Sequence, residues 1–173
     1  MKNTEIERVF LAEKLPENLH EYKHIIIKVG DFFQSNAIDA LKIKQKGDTY
    51  ELVKKEGESI LNRTEHTITI KKEEFELLWK STIQNHERIR HFYPIKDKIC
   101  EIDIYLGKLK GYVRLEVEFK SKKEAELFEK PAWFGEEITS LNHQIHKDLG
   151  LVTFEEMKKR YAEKGIVLKR IKV

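Results

Sequence analysis

Like-charged side chains recur two residues apart in five segments of this chain: Glu5/Glu7, Lys42/Lys44, Arg88/Arg90, Glu101/Asp103 and Glu116/Glu118. Between or beside them stand Ile6, Ile43, Ile89, Ile102, Leu115 and Val117. In an extended strand residues i and i+2 share a face, so each segment reads as a strand with one charged and one apolar side. For a single segment the ordinary account is a half-buried strand whose charged face meets water. Two features weigh against that account when the segments are taken together. Same-sign neighbours repel and supply no cross-partner. The signs also segregate by strand, three acidic pairs against two basic ones, while Lys55 and Glu65 stand singly on two further segments.

Strand signals cover residues 5–12, 24–34, 38–45, 49–55, 63–70, 86–93, 99–106 and 112–120. Lys46-Gly47-Asp48 predicts one tight hairpin and Gly107 to Gly111 another. Helical spacing appears at 72–82, with Phe75, Leu78 and Trp79 on one face. Two capping-box patterns, starting at Ser121 and Thr153, open further helices, the second ending near Gly165. About eight strands with helices between and after them predict an α+β fold, an antiparallel barrel or strongly curved sheet with helices packed outside.

The chain has 173 residues, 40% of them hydrophobic, which suits one folded domain and argues against disorder. Lys and Arg number 33 against 30 Asp and Glu, so the net charge of +3 says little about partners and the placement of charge says more. No Pro/Gly/Ser-rich linker, solenoid-length repeat or low-complexity tract appears. Cys100 is a lone cysteine inside a strand-like run, expected as a buried thiol in a reducing interior. The opening residues lack the apolar core of a signal peptide, and the longest apolar run, Ile25-Ile26-Ile27, is too short for a membrane span. The expected location is therefore the cytoplasm, away from membranes.

If the apolar faces turn outward beneath the helices, the charges converge on an interior. Packed charge of both signs is costly in a merely structural core but suits a wet cavity that holds ions. Carboxylates suit Mg²⁺ or Mn²⁺, hard cations that take oxygen ligands. Lysine and arginine suit phosphate oxygens, the first as a point charge and the second as a bidentate fork. A site needing both is one where metal ions and basic residues share a polyphosphate, and an activated water attacks the terminal phosphorus.

Glu5-Ile6-Glu7-Arg8-Val9-Phe10-Leu11 is similar to the N-terminal Glu-x-Glu-x-Lys motif of the CYTH family, the triphosphate tunnel metalloenzymes. The likeness continues through Leu41 to Gly47, Phe75 to Trp79, Glu101-Ile102-Asp103, Glu116-Val117-Glu118-Phe119 and Pro131 to Thr139, covering about residues 4 to 140. Residues 141–173 form a helical C-terminal extension beyond that core, which either covers a barrel end or mediates a homodimer. The resemblance implies an eight-stranded antiparallel barrel forming a tunnel, and metal-dependent hydrolysis of a small triphosphate, foremost inorganic tripolyphosphate. It implies Glu5, Glu7, Glu116 and Glu118 as ligands of Mg²⁺ or Mn²⁺. It implies Lys42, Lys44, Lys55, Arg88 and Arg90 as phosphate-binding residues. Glu101 and Asp103, with Glu65, are implied as the catalytic carboxylates that order water.

Three departures from the pattern stand out. The motif's lysine is Val9, the carboxylate two residues after Glu65 is Thr67, and the usual Arg-Tyr-x-Asn element is replaced by Asn142-His143-Gln144-Ile145-His146. Other readings are a non-catalytic protein that binds polyphosphate or a nucleotide, a thiamine triphosphatase, and an adenylate cyclase, though nothing marks an adenine pocket. His143 and His146 lack a third metal ligand and read as surface residues. Lys169-Arg170-Ile171-Lys172 reads as a solvated tail or edge strand rather than a nucleic-acid contact.

Overall fold

The computed structural model describes residues 6–35, 39–59, 62–146 and 148–172. They fall into two compact units. A central unit comprises Ile25–Arg88 and Lys147–Val152, and a terminal unit comprises Met1–His24, Ile89–His146 and Thr153–Val173.

In the central unit, β2 (His24–Ser35), β3 (Asp39–Lys46), β4 (Thr49–Ser59) and β5 (Asn62–Ile70) form an antiparallel meander. The β3–β4 turn lies at Gly47-Asp48 as its residues predict, with Gly47 at φ +60°, where a side chain would be strained. One face of the meander receives α1 (Lys72–Trp79), whose Phe75 packs against Tyr50 at 5.2 Å and stacks on Trp79 at 5.4 Å. Gly30 allows this close approach: a Cβ there would lie 2.5 Å from Thr82 Cγ2 and 3.0 Å from Trp79 Cζ3.

In the terminal unit, the latter part of β6 (Gln84–Ile95) is followed by β7 (Lys98–Tyr105), β8 (Val113–Phe119), β1 (Ile6–Ala12) and β9 (Phe134–Glu137) in lateral order. The apolar residues between the charges form one core: Phe10, Cys100, Ile102, Leu115, Val117 and Phe119 are buried together with Phe134. The helix α2 (Lys122–Glu126) covers this face, and the Ser121 side chain accepts from Glu124 N at 3.2 Å, as the capping pattern predicts. Arg8, on the same face as Phe10, donates to the Ala125 and Phe128 carbonyls at the end of α2 and pairs with Glu137. Farther along, α3 (Asn142–Ile145) is short, and α4 (Phe154–Ala162) buries Phe154, Met157 and Tyr161 under the predicted Thr153–Glu156 capping box.

The expected strands and three expected helices are present, but the eight-stranded barrel needs correction. The sheet has nine strands in the order β5-β4-β3-β2-β6-β7-β8-β1-β9 and does not close on itself among the described residues. The extra strand, β9, takes the edge of β1 that β8 leaves unpaired. Ile138 N donates to the Val9 carbonyl at 2.8 Å, and Thr139 Oγ1 accepts from Val9 N at 2.9 Å. Cys100 is buried, and burial pushes its thiol pKa far up, which leaves it inert. No helix among the described residues is long and apolar enough to cross a membrane.

Substituting Gly30→Ala is expected to destabilise the protein by about 1–3 kcal/mol in a denaturant titration, because Thr82 and Trp79 must move. His91 yields a pH prediction. Its buried ring lies 4.9 Å from that of His24, and burial, then His24, lowers its pKa below the ordinary value. The unfolded chain therefore binds the extra proton more readily, so stability falls as pH drops below about 6.5. Urea midpoints measured from pH 7.5 to 5 should fall, and less so in His91→Gln.

Candidate active site

Register decides which charges share a face, since directly opposed residues in an antiparallel pair point the same way. In the terminal unit Glu7 is opposite Glu118, Val9 opposite Glu116, Glu101 opposite Glu116 and Asp103 opposite Arg114. All of these lie on the side away from the apolar core. Five of the predicted acidic residues, Glu7, Glu101, Asp103, Glu116 and Glu118, are thereby joined on one surface. Glu5 lies outside the described residues.

Asp103 is the centre of this surface. It is 1% exposed, and both its oxygens accept from Arg90, Oδ1 from Nε at 2.6 Å and Oδ2 from Nη2 at 2.7 Å. Its Oδ2 also accepts from Arg114 Nη2 at 3.1 Å, and the same Arg114 nitrogen donates to Glu116 Oε2 at 3.0 Å. Arg90 reaches Glu101 as well, and its Nη2 lies 3.8 Å from Glu116 Oε2. Burial raises the Glu101 pKa, Arg90 opposes that, and Glu116 and Asp103 reinforce it, for a net rise. Burial pulls Arg90 the other way but is outweighed by Asp103, Glu101 and Glu116, so the guanidinium stays charged.

The central unit carries the basic residues on one face of its own. Lys42 is opposite Asp31 and Val53, Lys44 opposite Val29 and Glu51, Lys55 opposite Ala40 and Glu65, and Thr67 opposite Val53. Lys42 Nζ sits 3.1 Å from the buried Asp31 carboxylate, and Lys55 Nζ 2.6 Å from Glu65. Burial lowers the Lys44 pKa, and the neighbouring Lys55 and Lys42 lower it further. An ammonium so placed gains when an anion arrives. Arg88 Nη1 lies 3.3 Å from His86 Nε2.

Among the described residues no group of three His, Cys, Asp or Glu is placed to hold a metal ion by itself. The donor chemistry nevertheless fits a hard cation. Glu7 and Glu118 oppose one another across β1 and β8 and set two carboxylates on one face. Mg²⁺ is commonly held by one or two carboxylates together with substrate phosphates and water.

Several residues of these surfaces were not anticipated. Arg114 follows the same period-two rhythm as Glu116 and Glu118, and extending that pair one step back finds it. Asp31 continues the face of Ile27 and Val29, where an apolar residue was the simpler expectation. His146 is half-buried and bonded to Tyr112 rather than lying on the surface. Val9 is fully buried on the charged face, with no cation of its own.

Substituting Asp103→Ala leaves Arg90 and Arg114 without their shared counter-ion. The expected loss is about 3–5 kcal/mol of folding stability by chemical denaturation.

No family model matches the chain. It is 33% identical over 150 residues to the inorganic triphosphatase of Nitrosomonas europaea, an alignment spanning 86% of this chain and 97% of that protein. A crystal structure of an inorganic triphosphatase superposes with a TM-score of 0.73 at 31% identity, covering 86% of this chain and 95% of the other. A second crystal structure, of a hypothetical protein, gives 0.73 at 32% identity, with 87% and 99% covered. The charged strand faces and the length of this match lead to one assignment: the chain belongs to the family of the Nitrosomonas europaea inorganic triphosphatase.

Proposed function

We propose that this protein is a divalent-metal-dependent triphosphatase that hydrolyses the terminal phosphoanhydride of inorganic tripolyphosphate, of the CYTH type. The observation that carries the reading is the basic face of the central unit, where Lys44 is held with Lys42 and Lys55 and has its pKa depressed. A half-buried ammonium flanked by two others gains most from a multiply charged anion. The relative's activity supports the same reading.

In this proposal Lys42, Lys44, Lys55, Arg88 and Arg90 take the phosphate oxygens, the arginines as forks and the lysines as point charges. Glu7, Glu116 and Glu118, with Glu5, are the ligands of Mg²⁺ or Mn²⁺. When bound, the ion neutralises phosphate charge and polarises the phosphoryl oxygen. Glu101, whose pKa burial raises, takes the proton of the attacking water. Asp103 acts through the two arginines it binds, and Glu65 holds Lys55 in place.

One observation favours a second reading, a protein that binds polyphosphate without turnover. Val9 leaves the acidic face without the motif's lysine, and Thr67 leaves Glu65 without a carboxylate two residues on. Calorimetry with tripolyphosphate beside a phosphate-release assay with Mg²⁺ and with Mn²⁺ separates the two. Release that is abolished by chelator is expected, and binding without release would establish the second reading. Lys44→Ala should weaken tripolyphosphate binding about tenfold or more, the loss of one charge-assisted contact, with the melting temperature retained. Glu118→Gln should remove metal-stimulated release while the fold persists.

A further inference from the structure

Arg114 ends a line of hydrogen bonds that begins on α4. The Tyr161 and Tyr112 hydroxyls are 2.9 Å apart, and Tyr112 Oη is 2.5 Å from His146 Nε2. On the other side of the ring, His146 Nδ1 is 2.5 Å from Asn142 Oδ1. The same Asn142 oxygen accepts from Arg114 Nη1 at 3.2 Å. Arg114 Nη2 then donates to both Asp103 and Glu116. Both tyrosines are fully buried, so this is an interior network.

The directions of the bonds at Asn142 and His146 follow from one fact. A guanidinium has no acceptor, so the atom of Asn142 that meets it must be the carbonyl oxygen. That oxygen carries no proton, so His146 Nδ1 must donate to it. In the neutral imidazole Nε2 is then the acceptor, and the Tyr112 hydroxyl donates to it. The Tyr161 hydroxyl lies 2.9 Å from Tyr112 Oη and 3.4 Å from His146 Nε2. The network braces the Nη1 side of Arg114 from behind.

Arg114 also stands where the first strand supplies no charge. It is opposite Leu11, and its neighbour on the same face, Glu116, is opposite Val9. A cation from β8 therefore serves carboxylates that β1 leaves without one.

We infer that Arg114 is a positioning residue of the active site, holding Asp103 and Glu116 in place, and that Asn142 and His146 lock its guanidinium there. The inference rests on the triphosphatase reading of these carboxylates. It gives the segment after Thr139 and the helix α4 a task in the site. It also assigns Arg114 a cost: its charge beside Glu116 opposes the metal ion while its hydrogen bonds orient the carboxylates.

The test uses the full chain as wild type, Arg114→Met, Arg114→Lys, Asn142→Ala and the double variant Arg114→Met/Asn142→Ala. Mn²⁺ binding is read by calorimetry without substrate, and tripolyphosphate hydrolysis by phosphate release. Arg114→Met should bind Mn²⁺ about tenfold tighter, one opposing charge being gone. Its kcat should fall about tenfold or more while KM stays within about threefold, the pattern of a lost transition-state arrangement. Arg114→Lys should restore the wild-type Mn²⁺ affinity but not kcat, because an ammonium cannot bridge Asp103, Glu116 and Asn142.

Asn142→Ala keeps the buried charges balanced, so it tests the relay without leaving a charge unpaired. It should lower kcat, and the double variant should be no worse than Arg114→Met alone. Nitrogen NMR should show His146 as the neutral Nδ1–H tautomer in wild type and lose that preference in Asn142→Ala. Additive losses in the double variant, an Nε2–H tautomer in wild type, or unchanged Mn²⁺ affinity in folded Arg114→Met would each overturn the inference. Wild type that releases no phosphate, with the Mn²⁺ and NMR results as stated, sinks the triphosphatase reading and leaves the positioning role standing.

Discussion

The terminal unit depends on one buried carboxylate. Asp103 draws two arginines onto the polar face of three adjacent strands, Arg90 from β6 and Arg114 from its own neighbour β8. Without a counter-ion those guanidinium groups would be excluded from so closed a place. With it, each has further donors to spend on Glu101, Glu116 and Asn142. The apolar cluster on the opposite face makes the sheet stable, but the charge clamp decides how the polar face is arranged.

Most of the fold was legible because alternation and capping are local. The period-two charges predicted strands with two unlike faces, and the register puts Glu7, Glu101, Glu116 and Glu118 on the side away from Phe10 and Leu115. Ser121 and Thr153 open helices as their spacing implies. The ninth strand was not legible, because Phe134-Gly135-Glu136-Glu137 carries no alternation and becomes a strand only by pairing with β1. Asp31, Arg114 and the Asn142–His146 pair depend on which residues the tertiary structure sets side by side. A charged residue reads alike from sequence whether it ends in water or against a buried partner.

Each charged face is costly for stability, and the proposed function gives that cost a reason. A sheet meant merely to be covered would carry leucine or valine where Asp103, Arg114 and Glu116 stand, and such replacements are often neutral or stabilising. Val29 and Val53, interleaved among the lysines, show what that alternative looks like within the same molecule. Under the proposed function, charge is kept at the positions where a multiply charged ligand and a metal ion would use it.

The place of β1 has a consequence for how the chain comes to be folded. Its partners are β8 and β9, with Val9 beside Glu116 and Phe10 beside Glu137, so the first strand waits for residues more than a hundred positions away. The central unit is different: β2 pairs with β3, β3 with β4 and β4 with β5, each with its neighbour in sequence. Contacts between neighbours in sequence form early, and those that close long loops form late. On a ribosome the lysine-bearing meander therefore has its contacts within reach first. The acidic surface follows only after the C-terminal third of the chain has emerged, and until then the edge of β1 stands without either partner.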